Sequence, residues 1–213
     1  MIHISNWADK QKYLQEIIND YLLKNILVFQ NIKKVEKIYD LLKLLAFQVG
    51  NEISLTELGN QLQISKNTLE SYHDVLSNVF IIFKVEGFSK NLRKGVTKSS
   101  KWYFHDTGIR NAIIKNLNLL ENRNDVGQLW ENYLISEHLK KHEYQKISSN
   151  NYFWRTYDQQ ELDWPEEKSE KLFVYEFKWS PNKKIKISTA FKKAYQDANF
   201  EVIQRDNSLD FMT

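Results

Sequence analysis

Apolar residues recur every three or four positions near the N-terminus: Leu14, Ile17, Ile18, Tyr21 and Leu22, then Val35, Ile38, Tyr39, Leu42 and Leu45. That period predicts amphipathic helix over 7–49, ended by Gly50-Asn51. The next stretch, ISLTELGNQLQISKNTLESYHDVL, predicts a helix-turn-helix over 52–78. Ser54 or Thr56 would cap a helix over Leu55 to Leu62, Ile64 would fill the turn, and Ser65 would cap a second helix with Leu69, Tyr72 and Leu76 inward. Two strands are expected at about 79–86 and 101–105, around a loop with Gly87 and Gly95. The order helix, helix, helix, strand, loop, strand is that of a winged helix. Asp106-Thr107-Gly108 leads into a helix at 108–115, and 117–125 reads as a polar linker.

Beyond the linker the pattern alternates. A helix is expected at 126–141, strands at 151–156, 160–164 and 172–179, a helix at 187–197 and a strand at 199–204. This αβββαβ order predicts an α/β (α+β) domain with a mixed sheet. The expected division is a helical connector over 1–34, a winged-helix domain over 35–120 and the mixed-sheet domain over 121–213.

Composition narrows the function classes. The chain has 213 residues, 42% hydrophobic, so it can build a core. It has no cysteine, which excludes disulfides and thiolate chemistry and fits a reducing cytoplasm. No apolar run has the length of a membrane span. The six glycines are never five apart, so a Walker loop cannot be written and no ATPase activity of its own is expected. The net charge is only +3, but between Lys84 and Lys101 six basic residues face one acid, Glu86. Such a patch suits a polyanion. With the outward positions of the second helix, it nominates Lys66, Asn67, Thr68, Ser71, Lys90, Arg93, Lys94, Lys98 and Lys101 as DNA contacts.

Chemistry concentrates in VYEFKW, residues 174–179. Residues two apart in a strand share a face, so Glu176 and Lys178 are neighbours, opposite Phe173, Tyr175, Phe177 and Trp179. The preceding strand carries Asp163, and a hairpin through EKSEK, 167–171, would bring it beside Glu176. Two carboxylates suit Mg²⁺, a hard ion, which acidifies water and neutralises a phosphodiester; Lys178 would position or deprotonate that water. Glu131, in line with Ile135 and Leu139 on a helix, is a further ligand candidate. Pro165 implies an edge or a bulge just beyond Asp163. A bare Glu-x-Lys in a strand is also a common ion pair. His138 and His142 have metal-ligand spacing but no evident third ligand, so they are expected to be solvated at a helix end.

Asp163 and Glu176-x-Lys178, after a helix bearing Glu131, resemble the PD-(D/E)xK nuclease superfamily, the restriction-endonuclease-like fold. GQLWENYLISEHL, YFWRTYDQQELDW, VYEFKWSP, and FSKNLRKG with KWYFHDTGIRNAI further resemble the C-terminal region of prokaryotic AAA-type ATPases that end in a domain of unknown function. The resemblance implies a winged helix followed by a nuclease-like domain, with the ATPase domain absent. It implies Glu131, Asp163 and Glu176 as Mg²⁺ ligands and Lys178 as the catalytic lysine of a deoxyribonuclease. The expected partners are DNA, an ATPase acting in trans, and a second copy through residues 1–34. The rival expectation is a non-catalytic regulatory or partner-binding module of an ATPase system.

Overall fold

The structure, a computed structural model, describes residues 7–18, 35–88, 99–155, 160–181 and 189–213. It has a mixed α/β architecture and divides into two compact units, one of residues 1–83 and 102–123, the other of 84–101 and 124–213. Strands β2 (Ile82–Gly87) and β3 (Ser99–Phe104) supply residues to both.

The first unit holds α1 (Trp7–Glu16), α2 (Val35–Phe47), β1 (Glu52–Ser54), α3 (Leu55–Leu62), α4 (Lys66–Asn78) and α5 (Thr107–Ile113). Of the helix expected over 7–49, residues 19–34 lie outside the described residues. In α2 the period does what it promised: Ile38, Leu41, Leu42 and Leu45 are buried. Ile18, which the sequence leaves either partly exposed or paired with another copy, is buried within the chain. α3 and α4 match the expected helix-turn-helix. Ser65 caps α4, its hydroxyl accepting the Thr68 N–H at 3.2 Å, and Leu69, Tyr72 and Leu76 point inward. Ser54 stands at the start of α3 without a side-chain cap bond. Gly59 in α3 packs closely on the turn: a Cβ there would lie 3.1 Å from the Ile64 carbonyl oxygen, a tight contact. β2 begins at Ile82 rather than 79, because Phe80 adopts φ 55° and closes α4, with the Ile81 N–H returning to the Leu76 carbonyl at 3.0 Å. Asp106 caps α5 through Ile109 N at 2.8 Å, and Arg110, buried, donates to the Ala46 carbonyl at 2.7 Å.

The second unit holds α6 (Val126–Gln145), β4 (Asn150–Arg155), β5 (Glu161–Leu162), β6 (Trp164–Lys168), β7 (Lys171–Phe177), α7 (Thr189–Ala194), β8 (Asn199–Ile203) and α8 (Ser208–Met212). Its strands run in the order β2-β4-β6-β7-β8, with β5 paired to β4. β2 with β4 and β7 with β8 are parallel; β4 with β6 and β6 with β7 are antiparallel. Leu162, Val174 and Phe191 form a core on one face. On the other, Tyr175 and Phe177 meet the ring of Phe211 from α8.

Two departures from the predicted strands decide where the acidic side chains lie. The strand expected at 160–164 breaks at Asp163. On one side of the break Trp154 pairs with Leu162, on the other Asn151 pairs with Glu166. Asp163, Trp164 and Pro165 therefore oppose only Tyr152 and Phe153: a bulge, where a residue lacking an N–H is tolerated. The turn expected over 167–171 shrinks to Ser169-Glu170, both at positive φ (50° and 63°), the geometry of a two-residue hairpin. Glu166 is a strand residue with 0% exposure.

Candidate functional site

β6 and β7 pair up to Trp164–Tyr175. One step further that register sets Asp163 opposite Glu176, as a hairpin between the two strands requires. The side chains converge. Lys178 Nζ lies 2.8 Å from Glu176 Oε2 and 3.3 Å from Asp163 Oδ2. Asp163 Oδ2 also accepts the Phe177 N–H at 2.9 Å, and the Glu176 carboxylate accepts the backbone N–H of Asp163. The bulge makes this possible, because it turns Asp163 out of the ladder and toward the end of β7.

Burial sets the electrostatics. Glu176 is 7% exposed. Desolvation, then the charge of Asp163, pushes its pKa up to about 7 against the opposing pull of Lys178. Burial alone would lower the Lys178 pKa, but Asp163 and Glu176 outweigh it and raise it above the usual lysine value. Lys178 is therefore an ammonium at neutral pH. It is suited to orienting a water or balancing anionic charge, and poorly suited to removing a proton.

A second lysine enters the cluster. Lys101, expected in a DNA-facing patch, is 2% exposed. Its Nζ is 3.4 Å from Glu131 Oε1 and in direct contact with Glu161 Oε1. Burial opposes its charge, yet Glu131, Glu161 and Asp163 together hold its pKa above the usual lysine range. Glu131 thus reaches this region of the unit but is engaged by an ammonium. Glu161, two residues before Asp163, was not singled out from sequence, because alternation alone cannot say which acid meets a buried cation.

Of the other residues nominated for DNA contact, Lys66, Asn67 and Ser71 are exposed on α4, and Lys66 pairs with Glu70 at 3.5 Å. Thr68 is half-buried and bonded to Ser65 at 2.8 Å. Lys90, Arg93, Lys94 and Lys98 lie outside the described residues.

A domain of unknown function (DUF8612) matches residues 3–125. The chain belongs to this family. A second domain of unknown function (DUF4143) matches residues 126–210, so the two meet where the linker ends and α6 begins. Uncharacterized proteins of Mycobacterium bovis and Mycobacterium tuberculosis are each 27% identical over 138 residues, 63% of this chain. The match covers 30% of those relatives' length. No solved structure matches the chain significantly. No helix among the described residues is long and apolar enough to cross a membrane.

The DUF4143 region also contains a group that sequence reasoning dismissed. His138 and His142 are not solvated. They are 3% and 4% exposed, and Glu166 is the third residue that the sequence did not reveal. His138 Nε2 lies 3.1 Å from Glu166 Oε2, and His142 Nδ1 lies 3.3 Å from Glu166 Oε1. The signal was the spacing of four on α6; the partner was hidden because Glu166 lies on a separate element, β6, that only the fold brings to α6.

Proposed function

We propose that the chain is a DNA-interacting protein whose second unit holds a Mg²⁺-dependent phosphodiester site of the PD-(D/E)xK type. It would form the C-terminal part of an AAA-type ATPase system, the ATPase acting in trans or in the same longer protein. The observation that carries this reading is the convergence of Asp163, Glu176 and Lys178, three charged groups gathered at one strand end in a largely apolar sheet. A pair of ordinary surface acids would not need this arrangement. Two carboxylates close enough to raise one pKa repel each other, and a hard divalent cation relieves that repulsion. The donor set fits: a carboxylate offers about four acceptor positions, and the protein donors described use about two on each.

Asp163 and Glu176 would hold Mg²⁺, which when bound supplies Lewis acidity to a phosphodiester and lowers the pKa of a water. Lys178 balances charge between the acids and presents N–H donors to a nonbridging phosphate oxygen. The exposed, short polar residues Lys66, Asn67 and Ser71 on α4 are of the kind that reaches phosphates and base edges.

One observation favours a second reading. Lys101 already neutralises Glu131, so this acid is not available to a metal without displacing a buried ammonium. A non-catalytic module using the same fold would keep such an internal cation. The two readings separate in a cleavage assay on supercoiled, linear and single-stranded DNA with Mg²⁺, Mn²⁺ or EDTA. Metal-dependent cutting that disappears in Lys178→Ala supports the phosphodiester site. DNA binding without cutting under any condition supports the module, and neither activity would rule out DNA as the partner.

A further inference from the structure

The hydrogen bonding of His138, His142 and Glu166 leaves a specific gap. His138 Nδ1 is 3.1 Å from the Phe211 carbonyl oxygen. A carbonyl only accepts, so Nδ1 carries the hydrogen. The neutral ring then presents the lone pair of Nε2 to Glu166 Oε2, 3.1 Å away. Two lone pairs do not face each other at that distance in a buried site without a positive centre beside them. A proton shared on this axis would satisfy His138 and Oε2. It would leave Glu166 Oε1 fully buried and without a hydrogen bond of normal geometry, although the Tyr175 hydroxyl interacts with the carboxylate and His142 Nδ1 stands 3.3 Å from Oε1. A cation set between all three side chains satisfies both oxygens at once.

The dimensions agree. The three candidate ligand atoms lie within 4.8 Å of one another, all on buried residues. His138 Nε2 lies 3.1 Å from one oxygen of Glu166 and His142 Nδ1 lies 3.3 Å from the other, each close to the roughly 3.3 Å between neighbouring ligands on a tetrahedral ion with bonds of about 2.0–2.1 Å. The Phe211 carbonyl plays the outer-shell part, fixing the ring's tautomer and orientation. Ser149, whose hydroxyl is 3.0 Å from His142 Nδ1, stands beside the group as a polar neighbour for a fourth ligand.

We propose that His138, His142 and Glu166 form a binding site for a first-row transition metal of the zinc class. The site is independent of the Mg²⁺ site at Asp163 and Glu176. Two imidazoles and one carboxylate are the donor set that Zn²⁺ prefers and Mg²⁺ does not. The ion would tie α6 to β6, and through His138 to the carbonyl of Phe211 in α8. Its role is structural, because the ligands are closed off from solvent.

The test uses the full chain, stripped with EDTA and titrated with Zn²⁺ or Co²⁺ alone. In Asp163→Asn protein, where the carboxylate pair cannot contribute, the expected results are one equivalent bound, the intense visible absorption of four-coordinate Co²⁺, and a rise in Tm of several degrees with Zn²⁺ but not with Mg²⁺. Glu166→Gln and His142→Gln should each weaken binding by about tenfold or more, whereas Asp163→Asn should leave it intact. If the wild type binds no stoichiometric metal, the site does not exist. Binding that persists unchanged in both variants would equally overturn it. Should either variant fail to fold, the Co²⁺ spectrum of the wild type alone decides.

Discussion

Glu176 is nearly buried, and its carboxylate meets Lys178 on one side and Asp163 on the other. A raised carboxyl pKa has a defined linkage sign. The folded state binds the proton more tightly than the unfolded state, so this contribution to stability is complete below the usual glutamate value. It is lost as pH rises through about 7. In EDTA, Glu176→Gln should therefore gain stability relative to wild type from about pH 5 to about pH 8, read from unfolding curves of both proteins. A relative stability that stays flat would mean that Glu176 is ionised throughout. Part of this cluster was legible in the sequence. The two-residue period of VYEFKW set Glu176 beside Lys178, and the hairpin set Asp163 near both. Lys101 and Glu161 were not legible, because a lysine in a basic run looks solvated until a sheet buries it. The bulge that Pro165 implied is present, but Glu166 was not legible, because nothing in the sequence says which acid of Glu166-Glu167 faces α6 until the sheet sets the register.

At the scale of elements, local signals decided the outcome wherever they were strong. The helix-turn-helix is legible because the Ser65 cap, a turn residue and a regular apolar period agree, although Ser54 makes no cap bond. Ser65→Ala should remove the α4 cap at a cost of about 1 kcal/mol, seen as a lower urea midpoint with an unchanged slope. The β6–β7 hairpin illustrates the opposite case, since Ser169 and Glu170 occupy positive φ without being the residues that favour it. The double change Ser169→Asn, Glu170→Gly should raise stability by a few tenths to about 1 kcal/mol, measured by thermal unfolding. A loss would show that these side chains make contacts worth more than the turn strain. α6 was predicted too short, ending at 141 rather than 145. Its buried face includes Asn132, Ser136, His138 and His142 as well as Leu129, Leu134 and Ile135, so apolar spacing alone lost the helix before its end.

Across the whole molecule, fold class was readable from the order of elements, and function was readable only as chemistry gathered at a few positions. The family is one of unknown function, and the chain covers less than a third of its mycobacterial relatives, so similarity alone assigns no activity. If α4 docks on DNA, binding should weaken linearly in log–log plots against salt, and Lys66→Ala should reduce that slope by about one. A slope that does not change would place the DNA contact elsewhere. The central claim is narrower: Asp163 and Glu176 hold a hard divalent cation beside Lys178. Calorimetric titration of Mn²⁺ tests it most directly, on protein carrying Glu166→Gln so that the histidine cluster does not contribute. One site is expected, tighter at pH 8 than at pH 6, and abolished by Asp163→Asn. No Mn²⁺ binding, or binding indifferent to Asp163→Asn, would contradict the claim and leave the two acids and their lysine as a buried ion pair that holds the sheet end together.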